Sequence, residues 1–246
     1  LFYMLASCAN KQKKIVMFSG DGPDETMGGF RHNEQYFNQQ TRMNFSLASY
    51  FNTICYMDEP LRKRLLNSDF ESLTPNPVDR FGEIIEPWRE LEPIEQIAAY
   101  ECVSLMAGNN LVKGDRMGAC WSTEGRAPLI DHRVSELFIR LPVNQKFHNG
   151  FGKYYLKNYA ASKFSSELIF KKKSMPTLPI GEWMKNSLYS WTHDILSRCD
   201  ENFINRKAVL GLLAEHKSGV NNHTRPLRTL LMTQIWLDNF VNTNKA

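Results

Sequence analysis

The 246-residue chain has no C-x-x-C pair, no H-x-x-x-H pair and no apolar run approaching the ~20 residues that span a bilayer. Zinc sites of the common spacings and membrane-spanning helices are therefore unsupported. Its five cysteines, at 8, 55, 102, 120 and 199, are odd in number and widely spaced. They read as reduced thiols of a cytoplasmic protein and not as a disulfide framework. An excess of one charge is lacking too. The net charge is +4, and the basic residues are dispersed apart from Lys11 to Lys14 and Lys171 to Lys173. That bias is too slight to point to nucleic acid, and no membrane partner is implied either. Leu1 to Ala9 is apolar but short, has no basic leader and runs straight into Lys11. It reads as the end of a helix, not as a signal peptide.

What is present is an ordinary globular composition, 42% hydrophobic and 23% charged, enough for a real core. The most informative stretch runs from Ile15 through Phe18 to Ser19-Gly20-Asp21-Gly22-Pro23-Asp24-Glu25, with Gly28-Gly29 beyond. A short apolar run stops at small residues, and three acids follow within five positions. This predicts a buried strand, a loop and the start of a helix. Such corners bind ligands in open α/β sheets, through free backbone N–H groups and the helix dipole. The acids would repel bare phosphate but would accept phosphate carried with Mg²⁺. A plainer account also fits: Asp and Glu favour first helical turns as caps, and Pro suits a first helical position.

Along the chain, helices are expected up to Ala9, from Asp24 to about Gly28, and over Glu59–Asn67, Pro93–Leu105 and Asp115–Thr123. Further ones are expected over Asp131–Leu141, Lys153–Lys163, Glu182–Leu196, Lys207–His216 and Pro226–Val241. Gly108 to Arg116 reads as a connector and Lys171 to Gly181 as a loop. The tryptophans Trp121, Trp183 and Trp236 read as core. One strand among many helices suits the helical remainder of an α/β domain. No repeat, low-complexity tract or clear linker is visible.

Five separated segments share one resemblance. Ser19 to Gly29 resembles the S-G-E-G-x-D-E-x-x-G-G motif of the asparagine synthetase family. Leu111 to Gly118 resembles its L-x-K-x-D-R-M-S/T segment, and Glu124 to Arg133 its E-A-R-x-P-F-L-D. Lys153-Tyr154-Tyr155-Leu156-Lys157 resembles its K-x-x-L-R helix. Leu168 to Lys173, with Gly181-Glu182-Trp183, resembles its I-x-x-R-x-K loop and G-E-W continuation. The resemblance implies an α/β fold, the predominantly helical C-terminal portion of an adenine-nucleotide α-hydrolase-like (HUP/PP-loop) domain. It also implies ATP-dependent amide synthesis with ATP and Mg²⁺. Aspartate would be adenylated, and ammonia or glutamine would supply the nitrogen.

Carried over residue by residue, the resemblance places Ser19, Gly20 and Gly22 at the nucleotide and Asp24 on Mg²⁺. Lys173 would lie beside the phosphates, where a Lys stabilises growing charge. Asp21 would contact the amino acid and serve the attacking amine as a base. Glu124 and Arg126 are candidates for holding the substrate, since Arg clamps carboxylates. They could equally form structural ion pairs with Asp115 or Arg116. Asp131 is most simply an N-cap.

The sequence departs from the family pattern in two ways. Asp21 stands for Glu, which shortens its reach by about 1.5 Å. The family's S-G-G-x-D-S loop and its glutaminase domain are not within residues 1–246. The expectation is therefore a partial synthetase domain, inactive by itself, with a glutaminase domain upstream or in a separate chain; a homodimer is left open. The alternatives are a related amide-forming adenylating enzyme of the β-lactam synthetase or lasso-peptide cyclase type, a noncatalytic remnant or subunit, and an Mg²⁺-dependent phosphohydrolase.

Overall fold

The structure is a computed structural model that describes residues 1–171 and 178–241. Lys173 lies outside the described residues. The chain divides into two compact units, Leu1–Tyr50 with Val78–Lys173, and Phe51–Pro77 with Ser174–Ala246.

The first unit opens with α1 (Phe2–Lys11), β1 (Val16–Phe18) and the single turn α2 (Pro23–Thr26). α3 (Gln39–Met43) and α4 (Leu47–Ile54) follow a 3-10 segment at Arg31–Phe37. After α5 (Glu59–Leu65), α6 (Ser68–Leu73) and α7 (Pro77–Ile85) comes α8 (Pro93–Tyr100). The chain continues without a break into a π-helical stretch, Glu101–Leu111, and then α9 (Val112–Ala119). The predicted connector at Gly108 to Arg116 is thus helical, and neither Gly108 nor Gly114 adopts the positive φ of a turn. β2 (Glu124–Arg126) runs parallel to β1, with Val16 opposite Glu124 and Phe18 opposite Arg126. The sequence hid β2 because its three residues carry no apolar alternation. α10 (His132–Arg140) is capped by the Asp131 side chain, which accepts from the Arg133 N–H, as expected. α11 (Val143–Lys146), β3 (Phe147–His148), β4 (Phe151–Gly152), α12 (Tyr154–Ala161) and α13 (Ser166–Ile169) complete the described part of this unit.

β1 is not the buried strand that its apolar run predicts. Ile15 is 70% and Phe18 74% exposed. Among the described residues β1 pairs with β2 alone, and Val16 and Met17 are only partly buried. The core of this unit lies elsewhere, around Tyr36, Tyr50, Phe81, Ile85, Ile94 and Ile97, all buried.

The second unit packs α5 with α14 (Ile180–Lys185), α15 (Tyr189–Leu196), α16 (Arg206–Ser218) and α17 (Thr224–Phe240). The predicted Glu182–Leu196 helix is two helices, interrupted at Asn186. α5 starts at Asp58, whose carboxylate accepts from the Leu61 N–H at 2.9 Å, and Arg62, Lys63 and Arg64 occupy its last turn. α16 starts at the Asn205 cap and ends at Gly219, whose φ of 79° suits a left-handed stop. Leu65, Leu196, Val209, Leu212, Leu213 and Leu227 form a contiguous, fully buried core. The tryptophan expectation fails at two positions: Trp183 is 39% and Trp236 54% exposed, because the apolar faces of their helices are filled by Met184, Leu230 and Leu231.

Leu212 has no exposed surface, so truncation leaves a cavity. Leu212→Ala is expected to cost about 2–5 kcal/mol of stability. Urea denaturation followed by circular dichroism measures it; an unmoved midpoint would contradict this packing.

Candidate active site

The corner after β1 is built by backbone first. Gly22, with φ 110°, precedes Pro23, which opens α2. A Cβ at Gly22 would press into the Ile130 side chain and lie 3.3 Å from the Leu129 carbonyl oxygen. Only glycine therefore makes this turn without strain. Thr26 Oγ1 donates to the Gly22 carbonyl at 2.9 Å and locks the turn. Ser19 N–H donates to the Arg126 carbonyl at 2.8 Å, which extends the β1–β2 pairing to the edge of the loop. α2 holds only four residues, too short for an appreciable macrodipole. The dipole expected from the sequence thus contributes little, and the chemistry rests on side chains.

Each acid of the corner is held differently. Asp21 accepts from Ser19 Oγ at 2.8 Å. Asp24 Oδ1 accepts from Lys153 Nζ at 2.9 Å, an ion pair across the fold with both side chains mostly buried. Glu25 is buried and accepts from Asn110 Nδ2 at 2.8 Å. Burial is the main cause that pushes the Glu25 carboxyl above the usual range, and the neighbouring Asp24 and Glu101 add to it.

Behind this layer stands Glu101, with no exposed surface. Its carboxylate accepts from Tyr50 Oη at 2.8 Å and from Asn33 Nδ2 at 3.0 Å to both oxygens, and lies 2.9 Å from His32 Nε2. Desolvation raises the Glu101 carboxyl, and the hydrogen bonds from His32, Asn33 and Tyr50 oppose that shift. The Tyr50 phenol is also raised, first by burial and then by the adjacent carboxylate.

The sequence-based candidates Ser19, Gly20, Asp21 and Gly22 form one loop, and Asp24 follows in the first turn of α2. Glu124 and Arg126 lie on the adjacent strand, where Arg126 stands opposite Phe18. They pair with each other, not with Asp115 or Arg116: Arg126 Nε and Nη2 donate to the two Glu124 oxygens at 2.8 and 3.2 Å. Alternate residues of a strand share a face, which brings the two side chains together. Both are exposed, and the pair holds the Glu124 carboxyl below its usual range. Lys153, His32, Glu101 and Asn110 did not stand out in the sequence as site residues. One signal was available: Glu101 falls on the apolar stripe of Ile94, Ile97 and Ala98, where a charged side chain needs a partner.

Among the described residues no three His, Cys, Asp or Glu side chains gather to enclose a metal ion. Magnesium does not need such a cage when phosphates and water complete its octahedron, because one or two carboxylates then suffice. Asp24, at the loop and already matched to a cation, fits a shared magnesium ion of that kind.

The asparagine synthase family model matches residues 1–238. A Bacillus subtilis strain 168 protein named asparagine synthetase (glutamine-hydrolysing) 1 is 30% identical over 132 residues, which are 53% of this chain and 21% of that protein. A Mycobacterium bovis protein provisionally named asparagine synthetase (glutamine-hydrolysing) is 26% identical over 152 residues, 61% of this chain and 23% of its own length. The matches thus span only about a fifth of these relatives' length. No solved structure matches the chain.

Two predictions follow from this geometry. Gly22→Ala must force a side chain into a left-handed turn and against Ile130, at an expected cost of about 1–3 kcal/mol. Gly20→Ala, with open space at its Cβ, is expected to leave the melting temperature unchanged. Equal melting temperatures for both variants would contradict the turn. The second concerns pH. The folded Glu101 carboxyl is raised above its unfolded value, so the native state holds that proton more readily. Its contribution then favours the fold at low pH and is lost as pH rises through the folded pKa. Glu101→Gln is expected to flatten this part of the stability–pH curve; parallel curves for the two proteins would contradict it.

Proposed function

We propose that this chain, which belongs to the asparagine synthase family, provides part of the adenylation site of an ATP-dependent amide ligase. The substrate carboxylate is the aspartate side chain, and glutamine or ammonia supplies the nitrogen, giving asparagine. The fold is read as the helical portion of an adenine-nucleotide α-hydrolase-like domain. The observation that carries this reading is the corner after β1, where Asp24, paired with Lys153, projects from a glycine-built loop at the C-terminal end of a parallel strand.

Ser19, Gly20 and Gly22 would contact the nucleotide, and the open space at Gly20 would let the protein backbone approach it closely. Asp24 would hold magnesium, which neutralises pyrophosphate as it departs. Asp21 is tied back to Ser19, which fixes its carboxylate near the loop as a contact for the amine. The Glu124–Arg126 pair can open toward a carboxylate ligand, because it is exposed and so weakly held. Lys173, outside the described residues, is assigned to the phosphates by resemblance alone. The shorter Asp21 favours one variant: an adenylating enzyme that makes a different amide.

The test is product analysis of the polypeptide that carries this chain, supplied with aspartate, Mg·ATP and either glutamine or ammonium. Asparagine, AMP and pyrophosphate are expected in equal amounts, and Asp24→Asn is expected to slow their release on the order of 100-fold. An undiminished rate in Asp24→Asn would overturn the assignment. Failure to form asparagine from aspartate, with a different amide made when another carboxylate is supplied, would replace aspartate as the substrate, and phosphate in place of pyrophosphate would point to a hydrolase.

A further inference from the structure

The second unit holds a concave pocket of about 750 Å³, a size that suits a small molecule. Its walls come from Asn52 and Tyr56, from Gly181 in α14, and from Asn222, His223 and Arg225 where α17 begins. Buried hydrogen bonds hold these walls together. His216 is buried, and its Nδ1 accepts from the His223 N–H at 3.2 Å. Nε2 therefore carries the proton and donates to the Gly181 carbonyl at 3.0 Å. One imidazole thus ties two walls of the pocket. Gly181 also packs against the Thr224 side chain, where a Cβ would collide with Oγ1. This is the glycine of the Gly181-Glu182-Trp183 segment, which has no part in the adenylation reading.

The charges around the pocket are unevenly matched. Glu215 serves both Arg64, at 2.6 Å, and His223, at 2.8 Å. Glu182 pairs with Lys185 at 3.3 Å, and Asp58 is engaged as the cap of α5. Arg225 and Arg228 have no carboxylate partner among the described residues. Their guanidinium carbons lie instead 5.3 and 5.7 Å from the centre of one ring, Tyr56. Such a contact uses the face of a guanidinium and leaves its in-plane N–H donors for an oxyanion. Two cations three residues apart on a helix repel each other, and a doubly charged anion between them relieves that. A carboxylate brings one charge and fills one fork, whereas a phosphate has the charge and the oxygens for both. Asn222 Oδ1 already accepts from the Thr224 N–H and Oγ1, at 3.1 and 2.7 Å, so its Nδ2 donors remain for a ligand hydroxyl.

We propose that this pocket binds a phosphate group, free or as the monoester of a small hydroxyl-bearing molecule, with Arg225 and Arg228 on the phosphate oxygens. Tyr56 holds the two guanidiniums in place, and Asn222 faces the body of an ester. The proposal does not rest on the adenylation reading, because none of these residues belongs to the loop after β1.

Calorimetric titration of the chain with inorganic phosphate, ribose 5-phosphate and ribose tests this at fixed ionic strength. EDTA is present throughout, because without a divalent cation the three acids after β1 repel phosphate. Phosphate and ribose 5-phosphate are expected to bind, and ribose is not. Arg225→Met and Arg228→Met are each expected to weaken binding on the order of tenfold, the loss of one charge-assisted contact, and the double variant to abolish it. Lys217→Met removes the same charge from another cation–ring contact of this unit, 3.6 Å from the Tyr189 ring centre, and is expected to leave affinity unchanged. Tighter binding of ribose 5-phosphate identifies an ester as the ligand, and equal binding identifies free phosphate. Uptake of neither, uptake that survives the double variant, or a Lys217→Met loss equal to that of Arg225→Met overturns the proposal. The unmutated chain gives a second readout that no folding defect can blur. The Arg225 and Arg228 Nε–H resonances are expected to shift with ribose 5-phosphate, and resonances that stay in place overturn the proposal.

Discussion

Three carboxylates within five residues repel one another, and in the corner after β1 each is answered by a partner of its own. Ser19 answers Asp21 locally. Asn110 reaches Glu25 from 85 residues away, and Lys153 reaches Asp24 from 129 residues away. These long-range partners tie the π-helical stretch and the start of α12 to a one-turn helix that could not hold its place by itself. The division of labour is chemical. Glu25, buried and bonded to a neutral amide, is fixed in the interior. Asp24 is bonded to the Lys153 ammonium at the edge of the loop and stays partly exposed.

The π-helical stretch matters for the same reason. Its first residue, Glu101, is sealed inside the first unit with Tyr50, Asn33 and His32 around it. Burying a carboxylate requires that its oxygens be hydrogen-bonded, and four contacts from three residues on two elements meet that demand. The result couples the 3-10 segment after Gly29 to α4 and to the helix that carries Asn110. Among the described residues, the non-glycine residues with positive φ, Lys13, Ser122, Asn149 and Lys153, all fall in the first unit, while the second is built on a leucine core edged by ion pairs such as Arg64–Glu215 and Arg198–Asp238.

Much of this was legible before any coordinates. Glycines beside acids after an apolar run located the turn, and Gly22 and Pro23 fill the roles that their backbones suit. Asp131 caps its helix as its type predicts. Other features were hidden for identifiable reasons. β2 is three residues long and polar, so no periodicity announces it. Gly108 and Gly114 suggested a break, but long-range packing carries the helix through them. Ile15 and Phe18 have the composition of a buried strand, yet burial depends on neighbours that a local pattern does not specify. The Lys153–Asp24 pair was out of reach for a deeper reason: sequence spacing says nothing about partners 129 residues apart. Only the motif around Lys153 drew attention to it, without a role.

The account as a whole depends on Asp24 being the carboxylate that meets magnesium-bound phosphate. Manganese is the most direct probe, because its anomalous X-ray signal marks the ion itself. Crystals grown with manganese and pyrophosphate are predicted to show that signal at the Asp24 carboxylate. Manganese pyrophosphate bound away from the loop, with the Asp24–Lys153 pair intact, would contradict the account.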